Sequence, residues 1–231
     1  MTSAASSLQI SNPLVSTLQR KIDCSVDALM ASLPESEHLS ADLRRGIIAR
    51  YSAVLEGNFI YWMTAALLAV KSEGARSIIL ENLAEEVRDC HPGMLRRFSI
   101  AAGAFPTDAD ALAISDQLMK VRLFLGRLSG VKIVLMMAFF EGSIQRFMSY
   151  LADLAVRQGS TDLEYTDVHG VCDVGHTQEL FRALDIEMAV NPVAPGADLL
   201  EGVELLQALF NGIVHYDMAL SRKVMRAGST V

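Results

Sequence analysis

Apolar residues recur along this chain every three to four positions, as in helices that bury one face. Ser40 is placed to cap a long helix that the pattern carries to about residue 71. A second helix is expected over residues 75 to about 89. Pro92 and Gly93 punctuate it, and helix resumes over 94–102. Thr107-Asp-Ala-Asp caps another, running to about 128, and Gly130 separates that from a long helix over 131 to about 157. A loop at 159–162 leads into the stretch around His169, followed by helix over 177–189. Asn191-Pro-Val-Ala-Pro-Gly is the clearest turn, and a last helix is expected over 197 to about 226. Residues 2–11 read as a disordered or short arm and 227–231 as a frayed tail. Val168, Val171 and Val174 are β-branched, but Gly170 and Gly175 interrupt any strand there. The expected architecture is all-α, a compact bundle of seven to nine helices in one domain over residues 1–231.

Composition narrows the classes of function. The chain has 231 residues, 51% of them hydrophobic, enough for a sizeable core and for an oligomer interface; a homodimer is the expectation. Net charge is -7 and the 20 Lys and Arg are scattered, which argues against a nucleic-acid partner. The most apolar run, residues 59–70, falls short of the roughly 20 residues that span a bilayer, so no membrane partner is expected. Cys24, Cys90 and Cys172 are an odd, sparse set, suited to reduced thiols. The opening seven residues are small and polar without a basic region, so no secretory signal is expected and the expected location is cytoplasmic.

The chemistry concentrates in His169, Asp173 and His176, spaced H-x3-D-x2-H. On a helix these positions fall within about 60° of one another, so two imidazoles and a carboxylate point at one spot. That donor set suits iron and leaves coordination positions open. Cys172 is expected to face away from them. Glu141 follows the apolar run 133–140, where an unpaired charge would be costly. Alone it could equally be a helix-end glutamate reaching solvent; beside the His169 cluster it reads as a ligand. His91 is preceded by Glu81, Glu85 and Glu86, and the Pro92-Gly93 break permits a distorted turn that swings His91 toward one of them. Glu56 sits in apolar company as a further ligand, a substrate contact or a satisfied buried carboxylate. His38, in a lone E-x-x-H beside Pro34, reads as chance, and His215 as a satisfied core or interface histidine.

The order E…H, a lone Glu on a long central helix, then H-x3-D-x2-H resembles the heme-oxygenase-like di-iron oxidases and oxygenases, over roughly residues 40 to 225. The resemblance implies a fold shared with heme oxygenase and thiaminase II, two Fe ions (Fe2+/Fe3+), O2 as cosubstrate and no heme. It implies Glu85 (or Glu81 or Glu86), His91, Glu141, His169, Asp173 and His176 as metal ligands. Tyr165, one turn before His169, would be a hydrogen-bonding neighbour of the metals or plain core, and Phe140, Met136 and Phe147 pocket wall or packing. The activity implied is O2-dependent oxidation of a small amine, amino acid or carboxylic acid in a biosynthetic pathway. A carboxylate substrate would want an arginine near the pocket, with Arg88, Arg96, Arg122 and Arg146 as candidates. Two alternatives stand beside this: a metal-free hydrolase like thiaminase II, which needs an activated cysteine, and a non-catalytic helical interaction protein.

Overall fold

Asn12 and Pro13 start the first helix of the computed structural model, which describes residues 12–216. The Asn12 side chain accepts from the Leu14 N–H at 2.9 Å, and Pro13 sits where a helix needs no amide. This helix, α1 (Pro13–Ala31), buries Val15, Leu18, Ile22, Val26 and Leu29. It is absent from the elements expected above, although its cap and apolar spacing are both written in the sequence.

A single 3-10 turn (Ser36–His38) leads to α2 (Ala41–Ala69), capped by Ser40 as expected. The helix is not straight. Glu56 has ψ 103° and Gly57 φ 80°, a left-handed conformation that glycine adopts without a side-chain clash. Beyond the break Asn58 bonds back to the Val54 carbonyl at 2.7 Å and accepts from Arg122.

Helices α3 (Glu73–Arg88) and α4 (His91–Ala101) meet at Cys90, itself left-handed with φ 57°. Helix α4 begins three residues earlier than expected because Pro92 occupies its first turn, where proline is tolerated. A Cβ on Gly93 would lie 2.7 Å from the Cys90 Sγ, so a larger residue there would require the Cys90 side chain to shift. The helix expected from Thr107 is two helices, α5 (Asp108–Ala113) and α6 (Ser115–Leu125), broken at buried Ile114. It ends at Leu125 rather than near 128, because Leu128 is left-handed with φ 50°.

The centre of the bundle is α7 (Gly130–Arg157), packed against α8, α2, α9 and α1. Helix α8 (Glu164–Val190) is continuous through the His169 stretch that was expected to be separate from the helix after it. Gly170 and Gly175 lower helix propensity by only about 1 kcal/mol each, and packing along α7 outweighs that. A final helix, α9 (Glu201–His215), starts four residues later than expected. Its expected continuation to 226, like the arm at 2–11 and the tail at 227–231, lies outside the described residues. The described residues form nine α-helices and no strand, an all-α bundle. None of these helices is long and apolar enough to cross a membrane.

The core is rich in aromatic contacts. Trp62 is fully buried and meets Phe140 edge-on, with ring centroids 5.1 Å apart. Its indole N–H has no acceptor. Phe140 also packs on Phe59 and Phe210, which ties α2, α7 and α9 together.

Candidate metal centre

Helix α8 turns His169, Asp173 and His176 to one buried side, as the spacing demands. The Nδ1–H of His169 donates to the Tyr165 carbonyl at 2.8 Å. A carbonyl can only accept, so this bond fixes the tautomer and leaves Nε2 with a free lone pair. Helix α7 supplies Glu141 from the middle of its apolar face, 2% exposed.

The left-handed Cys90 brings the end of α3 against the start of α4. It places His91 Nδ1 2.7 Å from the Glu86 carboxylate, both groups buried. The His91 ring lies 4.5 Å from the His169 ring. Ligand atoms of Glu86, His91 and His169 all fall within 4.8 Å of one another, as do those of Cys172, Asp173 and His176. Two donor triads therefore adjoin. His176 Nδ1 faces both Asp173, at 3.8 Å, and Glu141, at 3.9 Å.

The three glutamates near His91 part company. Glu86 reaches His91; Glu85, partly exposed, reaches His176 Nε2 at 2.9 Å; Glu81 points to solvent. Glu56, at the α2 kink, forms an ion pair with Arg96 and does not join the cluster. Tyr165 is buried, its ring 4.2 Å from that of His169 and its hydroxyl 2.8 Å from that of Tyr51. His38 is exposed beside Glu37, and His215 is exposed at the end of α9 rather than in the core. The four candidate arginines are engaged elsewhere: Arg88 with Asp89 and Glu85, Arg96 with Glu56, Arg122 with Asn58, and Arg146 with Asp27.

Two residues escaped the sequence reading. Tyr51 gave no signal, since it lies 114 positions from its partner. The Cys172 thiol does not face away: it donates to the Asp173 carboxylate at 3.1 Å, because a side chain adjacent in sequence can curl around the helix to its neighbour.

Electrostatics favour a cation here. Burial, with Asp173 and Glu86 nearby, holds the Glu141 carboxyl well above the usual carboxylate range. Burial likewise pushes Asp173 up to about 7 and His169 down to about 4. Burial works against the His91 imidazolium, yet Glu86 more than offsets it and raises that pKa. Glu141 Oε1, Asp173 Oδ2 and His176 Nδ1 are buried with no hydrogen-bond partner at all. Buried polar atoms are normally paired. Three orphans of ligating type, converging beside carboxylates that resist ionisation, are what a missing positive charge would satisfy. Imidazole with carboxylate donors suits iron.

A small pocket, with a cavity volume of about 30 Å³, adjoins these groups. Its polar lining is Glu86, His91, Glu141, His169, Asp173 and Tyr165; the remainder is apolar, including Leu55, Phe59, Leu95, Phe140 and Ile144. Among the described residues, no lysine or arginine lines it.

A family model described as iron-containing redox enzyme matches residues 48–210, a span that contains both donor triads and the pocket wall. No curated protein and no solved structure matches the chain. With most of its length matched, and with an all-α bundle whose buried donors suit iron, the chain belongs to the iron-containing redox enzyme family of the heme-oxygenase-like superfamily.

Proposed function

We propose that this protein is a non-heme di-iron oxidoreductase that uses O2 to oxidise a small amine, amino acid or carboxylic acid in a biosynthetic pathway. The observation that carries the reading is the pair of largely buried donor triads with three unpartnered ligating atoms, two of them in the Asp173–His176 triad and the third on Glu141. Glu86, His91 and His169 would hold one iron, and Asp173 and His176 the other. Glu141, close enough to raise its pKa against both Asp173 and Glu86, would serve the pair. Bound iron supplies redox chemistry: electrons for O2 and an oxidising centre beside the substrate.

The chain's own groups orient and shield that centre. The Tyr165 carbonyl holds His169 in the tautomer that can ligate. Glu85, on the far nitrogen of His176, does the equivalent on the other side. The apolar wall of Leu55, Phe59, Leu95, Phe140 and Ile144 excludes water from the open side.

The hydrolase alternative is disfavoured. Burial, with Asp173 adjacent, pushes the Cys172 thiol far up, away from the thiolate a nucleophile requires. Cys24 and Cys90 are exposed, and neither lines the pocket.

The test is metal content after anaerobic Fe(II) loading and desalting. The expected result is about two irons per chain, much reduced in His169→Ala. Absence of specific iron uptake by the wild-type protein would refute the reading.

A further inference from the structure

Cys172 lies on α8 one helical turn before His176 and one residue before Asp173. At roughly 100° per residue it sits about 40° from His176 and about 60° from His169 around the helix axis. It therefore shares the arc of α8 that carries the proposed ligands. The thiol is half-buried and donates to Asp173 Oδ1 at 3.1 Å. S–H is a weak donor, so that bond by itself contributes little. The same three side chains, however, offer a sulfur, a carboxylate oxygen and an imidazole nitrogen that all lie within 4.8 Å of one another. Donors held about 2.0–2.3 Å from one ion stand up to about 4.6 Å apart. The three need little movement to share one.

The thiol's two neighbours are each short of a partner. Asp173 is fully buried; its Oδ1 takes the thiol, and its Oδ2 has no partner among the described residues. His176 is 5% exposed; its Nε2 meets Glu85, and its Nδ1 has no partner among the described residues. Buried polar atoms left unpaired are costly. The single thiol proton cannot satisfy both. An ion held among the three side chains does, and it displaces the thiol proton, which leaves to solvent as the sulfur–metal bond forms. A coordinating thiol is deprotonated outright by its metal. The burial that keeps the free thiol from acting as a nucleophile therefore does not bar it from ligation. Neither Cys172 nor His176 lines the pocket, so the sulfur leaves the pocket side of the ion open.

We infer that Cys172 is a metal ligand, supplying a thiolate to the ion held by Asp173 and His176. The inference rests on the proposed metal centre and deepens it. The two ions are then inequivalent. One has the Glu86 carboxylate and the imidazoles of His91 and His169; the other has sulfur beside one carboxylate and one imidazole. Thiolate is the soft donor in this set, and it biases the second position toward softer ions.

The experiment loads the full chain with Co(II) under argon, then records near-ultraviolet absorption and bound cobalt on the same desalted sample. A thiolate gives Co(II) an intense charge-transfer band in that region, which imidazole and carboxylate donors do not. Wild type is compared with Cys172→Ser and with the double variant Cys24→Ser/Cys90→Ser. The band is expected in wild type and in the double variant. In Cys172→Ser it should vanish, with the affinity for one of the two ions falling at least about tenfold. Wild-type protein that binds two cobalt ions without the band overturns the inference and leaves the metal centre standing. So does a band that survives Cys172→Ser. One cobalt per chain with a Cys172-dependent band keeps the thiolate ligand and removes the two-ion reading. No specific cobalt uptake removes both. The wild-type spectrum alone can overturn the inference, so misfolding of a variant does not protect it.

Discussion

His176 and Glu85 are joined across two helices, with the imidazole Nε2 2.9 Å from the Glu85 carboxylate. The bond directs the other nitrogen, Nδ1, at Glu141 and Asp173, where it has no partner. In the proposed di-iron site Glu85 would therefore orient a ligand, while its neighbour Glu86 would be one. Substitution should separate the two roles. Glu86→Ala is expected to lose one iron outright. Glu85→Ala should weaken metal affinity about 10- to 100-fold without changing the number bound at saturation. Anaerobic titration with Fe(II) reads both, and equal stoichiometric loss in the two variants would reverse the assignment.

Metal uptake should release protons. Asp173, pushed up to about 7, is largely protonated at pH 6 and must ionise to bind a cation, and burial holds Glu141 well above its ordinary value in the same direction. His169, pushed down to about 4, is already neutral across this range and contributes no proton. Apparent affinity is thus expected to rise from pH 6 to pH 8, by about tenfold per unit for each proton displaced. Calorimetry in two buffers of different ionisation enthalpy measures the release. A pH-independent affinity would contradict the burial argument.

Glu187 holds the site's frame. Fully buried on α8, its carboxylate accepts the backbone N–H groups of Lys71 and Ser72, the latter at 2.9 Å, at the junction of α2 and α3. Glu187→Ala strands those amides and should cost about 3 kcal/mol, roughly 6–12 °C in Tm for a chain of this size. Glu187→Gln keeps an acceptor oxygen and should lose less. A thermal melt of Glu187→Ala within a degree or two of wild type would show the bonds to be dispensable.

Asp110 should matter at neutral pH and not in acid. Burial alone would raise its pKa, but Arg45 and the Thr107 hydroxyl and amide more than compensate and hold it below the ordinary carboxylate value. A pKa depressed by folding stabilises the fold above the unfolded value of about 4. That contribution is lost as pH falls through the folded value. Asp110→Asn is therefore expected to cost about 2 kcal/mol at pH 7, with the gap narrowing at pH 3. Urea titrations at the two pH values compare them.

How much of this was legible in the sequence varied with the kind of signal. His169, Asp173 and His176 were readable because helical spacing alone sets their common face. Glu141 stood out as a carboxylate in an apolar run. The choice among Glu81, Glu85 and Glu86 was not readable, because it depends on one left-handed residue, Cys90, and no local pattern announces φ 57° there. Gly170 and Gly175 spoke correctly against a strand around Val168, Val171 and Val174, and α8 passes through both. Long-range pairings such as Tyr51 with Tyr165 left no trace, since nothing in either neighbourhood refers to the other. The missed α1 differs, because Asn12-Pro13 and the spacing of Val15, Leu18 and Ile22 were there to be read.

The chain's single tryptophan makes the pocket optically addressable. Trp62 is sealed from solvent, its indole N–H has no acceptor among the described residues, and its neighbour ring, Phe140, is also part of the pocket wall. Emission should be blue-shifted, uniform across the population and insensitive to aqueous quenchers. A molecule that displaces Phe140 changes the indole's surroundings directly. Iron loading and ligand entry can then be followed by intrinsic fluorescence in the unlabelled protein, in real time and without turnover.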